Sequence, residues 1–208
     1  MTIQRLGIYG GTFDPPHLGH LILAETAVDT LHLDRVLFVP AGEPPHKAGA
    51  SIRTSVDHRL AMVRLAVEDN PRFAISRVDI DRPGPHFTVD MLRLLRGEYP
   101  QAELVLLIGA DSLADLPTWS RPHELFELAC LGVMRRPGVD PDLDVLERQL
   151  PGLRRRIEWI DAPLIDISAS DLARRIAAGH SVRYQVPDAV YRYIEDHGLY
   201  RDDDENSD

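Results

Sequence analysis

The stretch Arg5-Leu6-Gly7-Ile8-Tyr9-Gly10-Gly11-Thr12-Phe13-Asp14-Pro15-Pro16-His17-Leu18-Gly19-His20 decides how the rest of the chain is read. A short apolar run, Arg5 to Tyr9, has the look of a strand and ends in a glycine-rich turn. A helical pattern follows at once, from Leu18 to Leu31. Strand, tight turn and helix in that order form the unit from which helix-covered parallel sheets are built. In such sheets ligands bind beyond the carboxyl ends of the strands, and a turn lacking Cβ atoms lets backbone amides approach a phosphate. Four orphan amides and the positive end of the helix dipole would then face that anion. The spacing is neither G-x-G-x-x-G nor G-K-[S/T], so neither the dinucleotide fingerprint nor a Walker loop applies.

His17 and His20 lie three residues apart in the first turn of this helix, hence on one face. Two imidazoles beside an anion-binding helix end can donate hydrogen bonds to phosphate oxygens whose charge grows in a transition state. A zinc site is the competing idea for a histidine pair, and it lacks a third ligand nearby. No metal site built by the protein itself is therefore expected.

Outward from this unit, short apolar runs alternate with stretches of helical period. Strand candidates are Arg5 to Tyr9, Arg35 to Pro40, Phe73 to Val78, Glu103 to Gly109, Ala129 to Arg135 and Arg156 to Asp161. Helix candidates are Leu18 to Leu31, Val56 to Glu68, Thr88 to Glu98, Arg121 to Leu128, Pro141 to Leu150, Ala169 to Ala178 and Pro187 to Asp196. Ser168 or Ser170 can cap a helix that stops at Gly179, and Pro187 suits the start of one that stops at Gly198. The strands are continuously apolar, as expected when both faces of a sheet are covered. The fold class is α/β, a doubly wound parallel sheet with helices on both faces. Ala41 to Thr54, with two adjacent prolines and little apolar content, is expected to be a long exposed loop of the kind that often carries function.

Composition narrows the function classes. The 208 residues are 44% hydrophobic and 27% charged, a profile of a folded protein with a real core. Lys plus Arg number 23 against 33 Asp plus Glu, a net charge of −10. Asp202, Asp203, Asp204, Glu205 and Asp208 supply half of that, so residues 202–208 read as an acidic, solvated tail behind a single domain over residues 1–201. An acidic body argues against duplex binding, which draws its affinity from Lys and Arg on phosphates. A small anionic ligand needs only a local positive pocket. The lone Cys130 sits in the run Leu128-Ala129-Cys130-Leu131 and reads as a buried small hydrophobe rather than a catalytic thiol. The amino terminus lacks the blocks of a signal peptide and no apolar run nears the roughly 20 residues that span a bilayer, so a cytoplasmic protein is expected.

His17-Leu18-Gly19-His20 resembles the (H/T)-x-G-H signature of the nucleotidylyltransferases, a Rossmann-like superfamily that holds the phosphates of ATP with that motif. Its second signature is matched by Ile167-Ser168-Ala169-Ser170. Within that superfamily the chain looks like the nicotinate-nucleotide adenylyltransferases. The resemblance runs nearly to Tyr200 and rests on Pro44-Pro45-His46-Lys47, Gly84-Pro85-His86-Phe87-Thr88, Ile108-Gly109-Ala110-Asp111 through Trp119, and Val133-Met134-Arg135-Arg136-Pro137-Gly138. Two departures stand out. The family's usual arginine is Ala173 here, followed by Arg174 and Arg175, and Phe87 replaces a frequent tyrosine.

The resemblance implies adenylyl transfer from ATP to nicotinate mononucleotide, a step of NAD biosynthesis, with magnesium carried by ATP. It gives His17 and His20 the catalytic phosphate contacts. Gly10, Gly11, Thr12, Phe13, Gly109, Asp111, Ser168, Ser170 and Arg174 would bind ATP and its phosphates, while His46, Lys47, Thr88, Trp119 and Arg136 would bind the acceptor. Physically, Asp111 at a strand end can accept from ribose hydroxyls or cap the next helix, and Trp119 offers a flat face to a pyridine ring or fills the core. The expected partners are ATP and the mononucleotide, with no nucleic acid or membrane, and a homo-oligomer is left open. Two other functions stay open: transfer to phosphopantetheine or another small phosphate, and a nucleotide-sensing module without turnover.

Overall fold

The computed structural model describes residues 3–42, 53–135, 138–163 and 165–201. In chain order the elements are β1 (Arg5–Gly11), α1 (Leu18–Thr30), β2 (Arg35–Pro40), α2 (Val56–Val67), β3 (Phe73–Ile75), α3 (Thr88–Glu98), β4 (Glu103–Gly109) and α4 (Ala110–Ala114). They continue with α5 (Pro122–Leu128), β5 (Cys130–Met134), α6 (Leu143–Gln149), β6 (Ile157–Ile160), α7 (Ala169–Ala177) and α8 (Asp188–Asp196). The six strands form one parallel sheet in the order β3-β2-β1-β4-β5-β6. The chain winds outward from β1 through β2 to β3, returns through α3 to the other side of β1, and winds outward again. The connections leaving β1 and β4 therefore cross opposite faces, and a crevice opens at the carboxyl ends of these two strands.

Side-chain alternation along the strands assigns each face its own core. Leu6 and Ile8 of β1 with Leu104, Leu106 and Ile108 of β4 pack against Leu92, Leu113, Leu125 and Leu146 from α3, α4, α5 and α6. Val36 and Phe38 of β2 with Val105 and Leu107 of β4 pack against Leu23, Val63, Leu172 and Val190 from α1, α2, α7 and α8. Both layers are apolar because neither sheet face meets water. Gly132 in β5 marks a close approach: a Cβ there would lie 2.7 Å from Leu107 Cδ2 and 2.8 Å from Leu31 Cδ1.

Every strand and helix candidate is present; β2, β4 and α3 have the expected bounds and the others have shifted ends. β3 stops at Ile75, three residues short of the expected Val78, because the backbone turns: the Val78 N–H donates to Ser76 Oγ and the Ile80 N–H to the Arg77 carbonyl. α6 begins at Leu143 because Asp142 caps it, accepting from the Asp144 and Val145 amides. α8 begins at Asp188, with Pro187 as its cap residue. α4 and the 3-10 turn Leu116–Thr118 are too short to show a period, so the sequence pattern does not reveal them. Cys130 is half-buried rather than buried, its Sγ 3.4 Å from Glu103 Oε1, and burial pushes its thiol up, away from reactivity. Of the expected 41–54 loop, residues 43–52 lie outside the described residues, as does the 202–208 tail. Thr54 is buried, against the expectation of exposure.

Asp34 joins the amino terminus to the turn before β2: its Oδ2 accepts the Gln4 amide at 2.7 Å and the Arg5 amide at 2.9 Å. Those two bonds hold its carboxyl below the ordinary range. A depressed folded-state pKa contributes stability above the unfolded value and loses it as pH falls. In urea titrations Asp34→Asn should be less stable than the parent near neutrality, and the gap should close as pH is lowered through about 4.

Candidate active site

β1 ends in Gly10 and Gly11, paired in register with Val39 and Pro40. Phe13 then takes a left-handed conformation, φ 53°, which turns its ring back into the core, where it is 2% exposed. Gly11 makes this possible, since a Cβ at that position would lie 2.9 Å from the Phe13 ring. The buried Phe13 ring is thus unavailable for the expected phosphate contact. The ring instead supports a histidine, standing edge-on to His20 with centroids 5.0 Å apart. His17 caps α1, is buried, and stacks on His20 with centroids 3.6 Å apart and planes 23° from parallel.

The Nδ1 of His20 accepts the backbone N–H of His17 at 3.1 Å. A ring nitrogen that accepts carries no proton, so the neutral His20 ring holds its proton on Nε2, as a donor. Gly19 is the residue this stack tolerates, because a Cβ there would lie 3.1 Å from His17 Nδ1. The expectation of four free amides at this helix end needs correcting. The Leu18 amide donates to the Gln185 carbonyl at 3.0 Å and the His17 amide to His20, so imidazole donors replace part of what the backbone was expected to offer.

A cavity of about 220 Å³ opens at the switch point. Gly10, Gly11, Thr12, Thr88 and Trp119 all line it, together with Asp79, His86, Phe87 and Met91 among others, so five of the expected residues meet there. α3 starts at Thr88, and its cap residue Phe87 gives no side-chain cap; the Phe87 carbonyl accepts the Asp90 and Met91 amides, so the Thr88 and Val89 amides are the ones left for an incoming anion. Trp119 is half-buried at the rim, after the 3-10 turn. A second cavity, about 480 Å³, is lined by Ser168 and Arg174 together with Arg175, His180 and Gln185. Gln185 is the residue whose carbonyl meets α1, so this cavity borders the histidine helix.

Ser168 caps α7, its hydroxyl accepting from the Asp171 amide at 3.1 Å, and Ser170 is exposed in the first turn. Arg174 is ion-paired with Asp171, whose carboxyl it lowers, and Arg175 donates to the Ser181 carbonyl. Ala173 is buried in the core between α7 and the sheet. Gly109 is the cap residue of α4, and Asp111 lies exposed within that helix's first turn, so Asp111 does not cap it. Neither lines the two cavities. His46, Lys47 and Arg136 lie outside the described residues.

A family model described as cytidylyltransferase-like matches residues 8–175. A protein of Thermomicrobium roseum described as a "probable nicotinate-nucleotide adenylyltransferase" is 57% identical over 199 residues, covering 96% of this chain and 92% of that one. The chain belongs to the nicotinate-nucleotide adenylyltransferase family. A relative of the same description from Thermus thermophilus is 46% identical over 95% of this chain and 100% of its own. The solved Plasmodium falciparum nicotinic acid mononucleotide adenylyltransferase complexed with NaAD matches with TM-score 0.76 over 95% of this chain and 97% of that one, at 18% identity, a likeness of fold.

Within this family frame, sequence reasoning missed the residues that hold the loops in place. Arg59 of α2 is 1% exposed, and its guanidinium donates to the carbonyls of Thr12 at 2.9 Å, Ala41 at 2.7 Å and Gly42 at 3.0 Å. Burial pulls its pKa down, and Asp14 opposes that shift. Asp14 in turn accepts from the Thr54 hydroxyl at 2.6 Å, the Tyr200 hydroxyl at 2.6 Å and the Arg53 amide at 2.8 Å. Burial beside that carboxylate pushes the Tyr200 phenol up, so it remains a donor. An arginine on a helix reads as solvated in sequence, and only its place on the face turned toward the loop would have marked it.

Arg59→Met removes three charge-assisted hydrogen bonds from partly buried carbonyls. The variant should lose about 3 kcal/mol of unfolding free energy in urea, and its remaining activity should need more ATP, because the loop bearing Thr12 is no longer anchored.

Proposed function

We infer that the protein transfers the adenylyl group of ATP to nicotinate mononucleotide, giving deamido-NAD and pyrophosphate in NAD biosynthesis. One observation carries this reading: the turn of Gly10, Gly11 and Thr12 that lines the Trp119–Thr88 cavity leads directly into the helix that bears the histidine stack, at the carboxyl end of β1. The acceptor phosphate forms a bond to the α-phosphorus of ATP in line as the bond to the β-phosphate oxygen breaks. The nucleophile is already ionised, so no general base is required. The protein must align two anions and offset their spreading charge.

His20 donates from Nε2 to the phosphate under attack, and His17 shares this work from beneath the stack. Gly10, Gly11, Thr12 and the Phe13 backbone line the phosphate loop. Ser168, Ser170 and Arg174 take the outer phosphates from the second cavity, once Arg174 leaves Asp171. Gly109 and Asp111 are assigned to the nucleoside at the end of β4. Trp119 faces the pyridine ring, the amides at Thr88 receive its carboxylate, and the family resemblance adds His46, Lys47 and Arg136 around the acceptor phosphate. Magnesium would arrive on ATP and neutralise part of its phosphate charge.

Residues 1–201 act as one catalytic unit in this reading. Among the described residues no helix is long and apolar enough to cross a membrane. The substrates, ATP and a free mononucleotide, place the reaction in the cytoplasm.

Pyrophosphate release from ATP and magnesium is to be compared with nicotinate mononucleotide, nicotinamide mononucleotide and phosphopantetheine. The first should be strongly preferred; activity only with phosphopantetheine would overturn the acceptor, and none with any would make the chain a sensor. His20→Ala should keep the parent's unfolding curve and lose about 10²-fold or more in turnover, as when one transition-state donor is removed.

A further inference from the structure

We propose that Arg82 is a specificity-determining positioning residue, which lets the cavity accept a ring carboxylate by cancelling the charge of Asp79. The inference rests on the acceptor assignment above. Asp79 is 8% exposed and lines the same cavity as Thr88 and Trp119. Left alone, a buried carboxylate in that wall would repel an acceptor whose pyridine ring carries a carboxylate, and would be indifferent to one carrying a neutral amide.

Arg82 removes that conflict. Its Nε and Nη2 both reach Asp79 Oδ1, at 2.8 and 2.7 Å, and both side chains are largely buried. The remaining donors go to the turn that leads into α3: Nη1 to the Pro85 carbonyl at 3.0 Å and Nη2 to the Phe87 carbonyl at 3.2 Å. Phe87 is the cap residue of α3, and its carbonyl also accepts the Asp90 and Met91 amides of the first helical turn. One guanidinium thus neutralises the acid in the wall and fixes the helix end whose amides face the ligand. With the pair neutral, the positive end of α3 dominates the local field. Arg82 itself does not line this cavity, so it acts through Asp79 and the turn.

The test compares KM for nicotinate and nicotinamide mononucleotides in the full-length enzyme. In Arg82→Met the KM for the acid should rise by about tenfold or more, since the unpaired Asp79 charge faces it through a medium of effective dielectric about 20. The KM values for the amide and for ATP, and kcat, should stay within about threefold. Arg82→Lys should keep most of the selectivity, and Asp79→Asn combined with Arg82→Met should recover the part due to charge, leaving a smaller deficit from the lost bonds to the Pro85 and Phe87 carbonyls. An unchanged acid-to-amide ratio in Arg82→Met, or a double variant no better than the single one, would overturn the proposal. Should Arg82→Met unfold, Asp79→Asn alone decides: the acid must gain on the amide, and no change or a loss refutes the role. A parent enzyme that ignores both mononucleotides would instead overturn the functional reading, and this inference with it.

Discussion

Arg59 contributes two terminal nitrogens to three backbone carbonyls, those of Thr12, Ala41 and Gly42, and so ties the loop after β1 to the loop after β2. A loop between strand and helix carries polar groups that water would ordinarily satisfy. Here those groups point inward, and a buried cation takes the place of water. Breaking such an arrangement costs more than making it returns, because the partly buried carbonyls lose their charged donor whichever apolar side chain replaces the arginine. The adjoining Asp14 balances the cation and draws in Thr54 and Tyr200, so the end of the chain helps hold a loop near its beginning. The position of the histidine stack depends on this frame.

The chemistry at the crevice follows from charge more than from reactivity. Two phosphate esters must approach, and each repels the other. The proposed mechanism meets this with oriented donors: an imidazole whose tautomer is set by the His17 amide, the helix end at α3, and a second hydroxyl-bearing helix end at α7. Such groups are already oriented when charge develops, so little reorganisation accompanies the reaction. The Asp79–Arg82 pair obeys the same logic one layer further out, keeping a necessary buried carboxylate from spoiling the field.

Much of the fold was legible because strands of a doubly covered sheet are uniformly apolar and their helices end in recognisable signals. Gly179 and Gly198 do take positive φ values at the ends of α7 and α8, as their positions suggested. α4 left no such signal because five residues hold little more than one turn. The histidine pair was legible because its spacing and place after a glycine turn are local facts. Arg59 and Arg82 were not, since a burial that joins residues 12, 41 and 59, or 79, 82 and 87, leaves no periodic trace.

The sequence by itself determined the parallel α/β architecture, the switch-point loop and the histidine pair that follows it, because each depends on periods and spacings within about 20 residues. Tertiary structure alone decided which amides stay available and which tautomer His20 adopts. It also decided that Phe13 supports a histidine rather than a ligand and that two arginines hold loops instead of facing water. These outcomes depend on desolvation, and whether a polar group is desolvated is settled only when distant segments close over it.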